Sequence, residues 1–74
     1  MSEYTYAGPL LEALVKKLEG DIAISKANIE VYKTNAAGIG EHPDIAAAVD
    51  NQIDALAHAE DKLCVLQKYF GHQI

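Results

Sequence analysis

The sequence predicts an all-α protein, built as an antiparallel hairpin of two long helices. Two amphipathic stretches of nearly equal length, joined by a seven-residue connector at 36–42 that contains glycine, carry this prediction. In each stretch, seam residues recur at alternating steps of four and three, which keeps them on one side of a helix. Each helix therefore offers a lengthwise, mainly apolar seam. A connector this short requires the second helix to fold back along the first.

The N-terminal residues 1–8 carry no helical period, and we expect an extended arm whose rings, Tyr4 and Tyr6, lie against the helices. The first helix is predicted over residues 9–35. Pro9 suits the first helical position because its missing N–H is not needed there. The seam of this helix consists of Leu11, Val15, Leu18, Ile22, Ser25, Ile29 and Tyr32.

The second helix is predicted over residues 43–70, again with a proline at its start. Asp44 places negative charge at the positive end of the helix dipole, and Lys68 places positive charge in the last turn. Gly71 is interpreted as the C′ glycine that ends the helix, and residues 71–74, with His72, as a frayed tail. The seam of this helix consists of Ile45, Val49, Gln52, Leu56, Ala59, Leu63, Leu66 and Phe70.

The first helix also carries a second line of small and apolar residues, nearly opposite its seam. Glycine inside a helix costs about 1 kcal/mol relative to alanine, but small residues let another backbone come close. We therefore predict that this helix lies between the second helix and another copy of the chain, in a dimeric four-helix bundle. The alternative is an exposed face that happens to be rich in alanine. The candidate self-association residues are Ala13, Gly20, Ile24, Ala27 and Val31.

The second helix has a broad apolar face and an acidic face on its opposite side. The apolar face is widened by Ala46, Ile53, Ala57 and Cys64. The acidic face consists of Asp50, Asp54, His58 and Asp61. Such a face is often only solvated. Otherwise it docks on a basic partner, or imitates the charge of nucleic acid to occupy a protein that binds it.

The connector and the start of the second helix, Gly38–Asp44, form the only stretch that looks like a motif. Two glycines before a helix N-terminus can hold an anion, but Glu41 and Asp44 would repel a phosphate. These two residues and His42 lack the paired spacing of a zinc or calcium site. We interpret the stretch as a turn that starts a helix. Glu41, His42 and Asp44 join the acidic aspartates as a candidate partner surface.

Composition limits the classes of partner and compartment. The net charge is −5, with six lysines and no arginine, so direct binding to nucleic acid is disfavoured. Cys64 is the only cysteine, which suits a reducing cytoplasm, and we interpret it as a packed thiol. No apolar stretch approaches the ~20 residues that cross a bilayer, and no signal peptide is visible. We expect a soluble cytoplasmic protein with no membrane partner.

The run Gly-Ile-Gly-Glu-His-Pro-Asp at Gly38–Asp44, followed by an Ala-Glu-Asp-Lys-Leu helix at Ala59–Leu63, resembles small uncharacterised proteins of T4-type bacteriophages, including those that infect marine cyanobacteria. The same half of the chain is similar to the helical-hairpin companion protein encoded beside the phage UvsW helicase. The resemblance implies a hairpin fold and a product made in the host cytoplasm. It implies no catalytic residue.

The sequence thus predicts a non-enzymatic interaction protein that self-associates. Its protein partner, which the sequence does not identify, would bind the acidic face of the second helix and the connector. The alternative function is an accessory role in phage DNA metabolism, acting on a helicase or repair protein rather than on DNA. No catalytic residue, cofactor or metal ligand is predicted, because a hairpin this small rarely encloses the pocket that catalysis needs.

Overall fold

A computed structural model describes residues 3–34 and 44–74 and confirms the helical hairpin. Its elements are β1 (Tyr4–Tyr6), α1 (Pro9–Thr34), α2 (Ile45–Phe70) and β2 (Gly71–Gln73). The molecule measures 46 × 18 × 17 Å, so it is a rod about two helices wide. Neither of the two described helices is both long enough and apolar enough to cross a membrane.

The start of α1 is set by Gly8 and Pro9. Gly8 has a φ of +88°, a left-handed conformation that favours glycine. Its carbonyl accepts a hydrogen bond from the Glu12 N–H at 3.3 Å, which closes the first turn of the helix. Pro9 then occupies the first helical position, as predicted.

Asp44 caps the start of α2. One carboxylate oxygen of Asp44 accepts from the Ala47 N–H at 2.9 Å, and its carbonyl accepts from the Ala48 N–H at 3.3 Å. This carboxylate thereby satisfies one of the backbone donors that a helix N-terminus leaves unpaired. The helix begins at Ile45, slightly later than predicted. Pro43 lies outside the described residues.

The predicted seam is the surface along which α1 and α2 pack. All seven seam residues of α1 and seven of the eight on α2 are buried or half-buried. Phe70 is the exception, since 53% of its surface is exposed. The buried apolar core consists of Tyr6, Val15, Leu18, Ala59 and Leu66.

The predicted frayed tail at 71–74 is wrong, because β2 pairs with β1. The pairing is antiparallel and sets Tyr4 opposite Gln73 and Tyr6 opposite Gly71. The Ile74 N–H donates to the Glu3 carbonyl at 3.1 Å and extends the ladder by one bond. The arm is therefore tied to the far end of the chain, and Tyr6 is held in the core.

Gly71 ends α2 for a reason that differs from the predicted one. Its φ is −91°, which is extended rather than left-handed. A Cβ at this position would lie 2.9 Å from the Gln67 carbonyl oxygen and 3.0 Å from Cδ1 of Tyr4. Glycine is required here because the strand pair passes so close to the last turn of the helix.

A polar layer crosses the seam in the half of the hairpin away from the strands. The Asn28 side-chain amide donates to Oε1 of Gln52 at 3.2 Å. Ser25, one turn earlier on α1, is only 4% exposed. A hydrogen bond between helices fixes which turns of the two helices lie side by side.

Candidate interaction surfaces

The back of α1 is the line of small and apolar residues opposite the seam, and the hairpin leaves it largely uncovered. Ile24 is 61% exposed and Val31 is 49% exposed. Ala13 and Ala27 are exposed as well, and Gly20 is half-buried. At about 100° per residue, this line lies roughly 150° around the helix from the seam. The fold therefore brings the five predicted self-association residues onto one open face.

Leu10 extends this face toward the strands, Leu14 lies beside it on the flank nearer the seam, and neither was predicted as a surface. Leu10 is 83% exposed and Leu14 is 41% exposed. With Leu11, Ala13 and Lys17 they line an open, predominantly apolar surface groove of about 490 Å³. Leu10 lies three residues before Ala13, so continuing the spacing by one step would have found it.

Charged side chains border the back of α1. Lys17, whose stem lines the groove, donates to Asp21 at 2.8 Å, one turn further along. Glu30 lies at the other end of the helix and accepts from Lys33 through Oε1 at 3.1 Å. Lys17, Glu30 and Lys33 are largely solvated and Asp21 is half-exposed, so these pairs contribute little to stability. Their relevance is that they set the charge around the apolar line.

The acidic face of α2 is open to solvent as predicted. Asp50, Asp54 and Asp61 are all exposed, and their spacing places them within about 40° of one another around the helix. His58 lies 4.0 Å from Asp54, and both side chains are 72% exposed. This face carries three carboxylates and no buried ionisable group.

The broad apolar flank predicted for α2 is exposed, not packed. Cys64 is a free, exposed cysteine, so its interpretation as a packed thiol is wrong. Ile53 is 47% exposed, and Ala46 and Ala57 are exposed too. The physical reason is that only one helix covers α2, and its contact is no wider than the seam.

A second exposed apolar group lies at the strand end of the rod. These side chains come from the last turns of α2 and the residue after β2, and none was predicted as a surface: Val65, Tyr69, Phe70 and Ile74 are 45%, 65%, 53% and 84% exposed. The Lys68 ammonium lies 5.2 Å from the centroid of the Tyr69 ring, a cation–π distance. The group ends at the tip and does not continue along a helix face.

A small hollow of about 100 Å³ lies between β1 and α1, and Tyr6 is one of its walls. Burial raises the pKa of the Tyr6 phenol, while Gln67 acts in the opposite direction and the nearby Glu19 carboxylate adds to the rise. Gln67 is therefore close, but no hydrogen bond of good geometry reaches the buried Tyr6 hydroxyl. The hydroxyl is best explained as a cost of burying the ring in the core.

The structure describes only some of the residues predicted for the partner surface. Glu41, His42 and the connector glycines lie outside the described residues. Asp44 lies at the start of α2, where its carboxylate caps the helix. Among residues 3–34 and 44–74, no three His, Cys, Asp or Glu side chains are grouped closely enough to hold a metal ion.

Comparison with protein-family models, curated proteins and solved structures finds no significant match to the chain. The resemblance to phage proteins therefore stays a prediction. The surfaces that bear on function are the open back of α1, the acidic face of α2 and the apolar tip.

Proposed function

We propose that this protein is a non-enzymatic interaction protein that self-associates through the back of α1 and binds a protein partner through the acidic face of α2. One observation carries the proposal. A helix already packed along one side presents a second apolar line along the other, with Ile24 61% exposed. Exposed apolar surface that is continuous along an element marks interaction sites in soluble proteins.

The thinness of the core supports self-association. The largest buried side chains still leave a few per cent of their surface exposed, and five residues make up the buried apolar core of the described chain. Domains of this length bury a smaller fraction of their surface than larger domains do and commonly gain stability by oligomerising. Covering the back of α1 would add a second apolar layer on a helix that already has one.

The partner surface follows from charge. Three exposed aspartates on one side of α2, with the overall charge of −5, favour a basic protein surface over nucleic acid. A catalytic role is not proposed, because the hollow beside Tyr6 holds about 100 Å³, less than the ~300–1,000 Å³ of small-molecule pockets, and the larger groove at Leu10 is open and predominantly apolar.

Sedimentation equilibrium tests the self-association. Ile24→Glu puts an unpaired charge on the back of α1, and we expect the dissociation constant of the dimer to rise about 100-fold or more. Ile53→Glu is the matched control, because Ile53 is a similarly exposed isoleucine on α2. A wild-type chain that stays monomeric at high concentration, or equal effects of both variants, would refute the role of this face.

Charge reversal tests the acidic face. Asp50, Asp54 and Asp61 are changed together to lysine, and proteins captured from cell extract are compared with those captured by the wild type. The control carries the same charge change at Glu3, Glu12 and Glu19, which are exposed residues elsewhere on the molecule. We expect a partner to be lost only with the α2 variant. Identical capture by all three proteins would remove the acidic face from the proposal.

A further inference from the structure

We infer that two copies pack α1 against α1 in antiparallel orientation, in a register that seats the large residues of one copy on the small residues of the other. The inference rests on the self-association proposed above and gives it an orientation, a register and a shape. It starts from the pattern of side-chain size along the back of α1 and from the groove at its N-terminal end.

Large and small residues alternate along this face in two series, each with a spacing of seven. The large series is Leu10, Lys17, Ile24 and Val31. The small series is Ala13, Gly20, Ala27 and Thr34. Each small residue follows a large one by three positions, which is the spacing of the two core positions in a heptad. When helices meet along such a face, a large residue of one copy fills the space beside a small residue of the other, which keeps the packing dense.

An antiparallel pair satisfies that condition along the whole face. In the register we infer, the numbers of two facing residues add up to 44. Ile24 of one copy therefore faces Gly20 of the second copy. In the same way Val31 faces Ala13, and every other large residue also meets a small one. A parallel pair fails, because it places Lys17 beside Lys17 and Gly20 beside Gly20, combining like charges with unfilled space.

The groove at the N-terminal end of α1 is the receptor for one of these contacts. Four of its lining residues, Leu10, Ala13, Leu14 and Lys17, have the spacing i, i+3, i+4, i+7. Four residues so spaced form the hole that accepts a side chain from a facing helix. In the antiparallel register that side chain is Val31 of the second copy, which is 49% exposed in the single hairpin.

The next hole along the helix has a glycine as its floor. It is bounded by Lys17, Gly20, Asp21 and Ile24, and no atom other than those of the adjacent residues and the backbone of the helix itself lies within 4 Å of the position that a Gly20 Cβ would occupy. In the same register, Ile24 of the second copy enters this hole. The helix backbones are closest at this point, which accounts for a glycine in the middle of a helix where alanine would be favoured by about 1 kcal/mol.

Charge complementarity supports the same register. Lys16 and Glu30 flank the apolar line on one side, and the register brings Lys16 of each copy next to Glu30 of the other, twice by symmetry. Glu30 bonds Lys33 through Oε1, and its second carboxylate oxygen can accept from Lys16. On the other flank the register brings the two Asp21 carboxylates together, a like-charge contact that the 2.8 Å pair of each Asp21 with its own Lys17 offsets.

The position of this face determines the shape of the dimer. The back of α1 lies about 150° from the seam, given 3.6 residues per turn. In a square four-helix bundle each helix contacts its two neighbours on faces about 90° apart. The two apolar faces of α1 are about 150° apart, so a square bundle is not favoured. The four helices would instead form a shallow row, with the two α1 helices in the middle and an α2 helix at each side.

Disulfide trapping tests the orientation. In a Cys64→Ser background, Ala13→Cys and Val31→Cys chains of different mass are mixed and oxidised. In the antiparallel register residues 13 and 31 of opposite copies are neighbours. Two copies of residue 13 lie about 27 Å apart at 1.5 Å per residue, far beyond the ~7 Å limit for a disulfide. We expect mixed disulfides to form from the two variants together and few from either variant alone.

The alternative outcomes are distinguishable by sedimentation of the same samples. Disulfides within each variant alone, in a protein that sediments as a dimer, would show parallel packing and overturn the register while the proposed self-association stands. A dimer that forms neither kind of disulfide uses another surface and overturns the inference. A monomer overturns both the inference and the self-association.

A charge exchange checks the register independently of any disulfide. Lys16→Glu and Glu30→Lys should each weaken the dimer about three- to tenfold, because each creates two like-charged contacts. The double variant restores opposite charges and should return near the wild-type affinity. Residues 16 and 30 lie about 21 Å apart within one helix, so they do not compensate within a single chain. A double variant that dimerises no more tightly than the weaker of the two single variants would contradict the register.

Discussion

The two halves of the hairpin are held together differently, although their seams have the same period. In the half near the strands, Tyr6, Val15, Leu18, Ala59 and Leu66 form the buried apolar cluster. In the half toward the connector, the residue buried most fully among those described is Ser25, and the contact between helices includes the Asn28–Gln52 hydrogen bond.

This difference shows that periodicity sets which residues face the other helix but not how deeply they are buried. Two helices cover a seam residue from one direction, so its sides stay open. Near the strands, Tyr6 and Tyr4 add a third element that closes one side of the seam. We therefore expect the strand half to carry most of the stability.

The largest effect is expected from Leu18→Ala in the strand half. Leu18 is 2% exposed, so its truncation removes buried apolar surface and leaves a cavity, at a cost of about 2–4 kcal/mol in unfolding free energy. Ile29→Ala, at a half-buried seam position in the other half, should cost roughly half as much. Urea denaturation followed by circular dichroism measures both. Equal losses would contradict the unequal division of stability.

Gly71→Ala should have the next largest effect. The added methyl would lie 2.9 Å from the Gln67 carbonyl oxygen and 3.0 Å from Cδ1 of Tyr4, so the strand pair must shift, at a cost of about 1–3 kcal/mol. Gly20→Ala is the control, because its added methyl would meet nothing beyond the adjacent residues and the backbone of its own helix.

The control should change stability in the opposite direction. Measured on dilute protein, Gly20→Ala should raise the unfolding free energy by about 0.5–1 kcal/mol, since alanine is the better helix former. If both substitutions destabilise the protein, helix propensity does not explain the effect at Gly20, although the strand contact can still explain the effect at Gly71.

Asp44→Ala tests the connector half and should cost about 1 kcal/mol. It removes the side-chain oxygen that accepts from the Ala47 N–H at 2.9 Å. Amide hydrogen exchange should accelerate in the first turn of α2 and change little near the strands. Asp50→Ala, an exposed aspartate one turn into the helix, should alter stability by less than ~0.5 kcal/mol. Equal acceleration at both ends would show that the halves unfold together.

Tyr6→Phe should have the smallest effect at neutral pH. The hydroxyl is buried without a well-formed hydrogen bond, so its loss should change stability by less than ~1 kcal/mol, in either direction.

The effect of Tyr6→Phe should grow in alkaline solution. Burial raises the folded pKa of Tyr6 above its ordinary value of 10.0, so the unfolded chain loses the proton first. This stabilising contribution is complete below pH 10 and is lost as the pH rises through the folded pKa. The stability of Tyr6→Phe relative to the wild type should therefore rise in urea melts above pH 10. Parallel pH profiles of the two proteins would contradict the burial of Tyr6.

Much of the fold follows from the sequence because it is periodic. Steps of four and three predicted the seam of α1 at every position, from Leu11 to Tyr32. The proline and aspartate at the helix starts act locally, so those boundaries were predictable to within two residues. The acidic face of α2 was predictable for the same reason, because charged side chains opposite a packed seam stay exposed to solvent.

The strand pair was not predictable in the same way. Each strand has three residues, too few for a period, and Tyr6 and Gly71 are neighbours across 64 intervening residues. Gly71 also has an adequate local explanation as a helix terminator, which concealed its role in the close approach. The exposure of Cys64 was missed because the width of the contact between two helices depends on what else covers them.

The hydrogen bond between Ile74 and Glu3 has a mechanical consequence. A force that separates the two ends of the chain loads this bond first and then each hydrogen bond of the β1–β2 pair in turn. The bonds therefore break one after another and never share the load. Resistance to stretching would then begin only when α1 and α2 separate, starting from Tyr6 and Leu66. A protein tethered by its two ends would yield at low force from that tip.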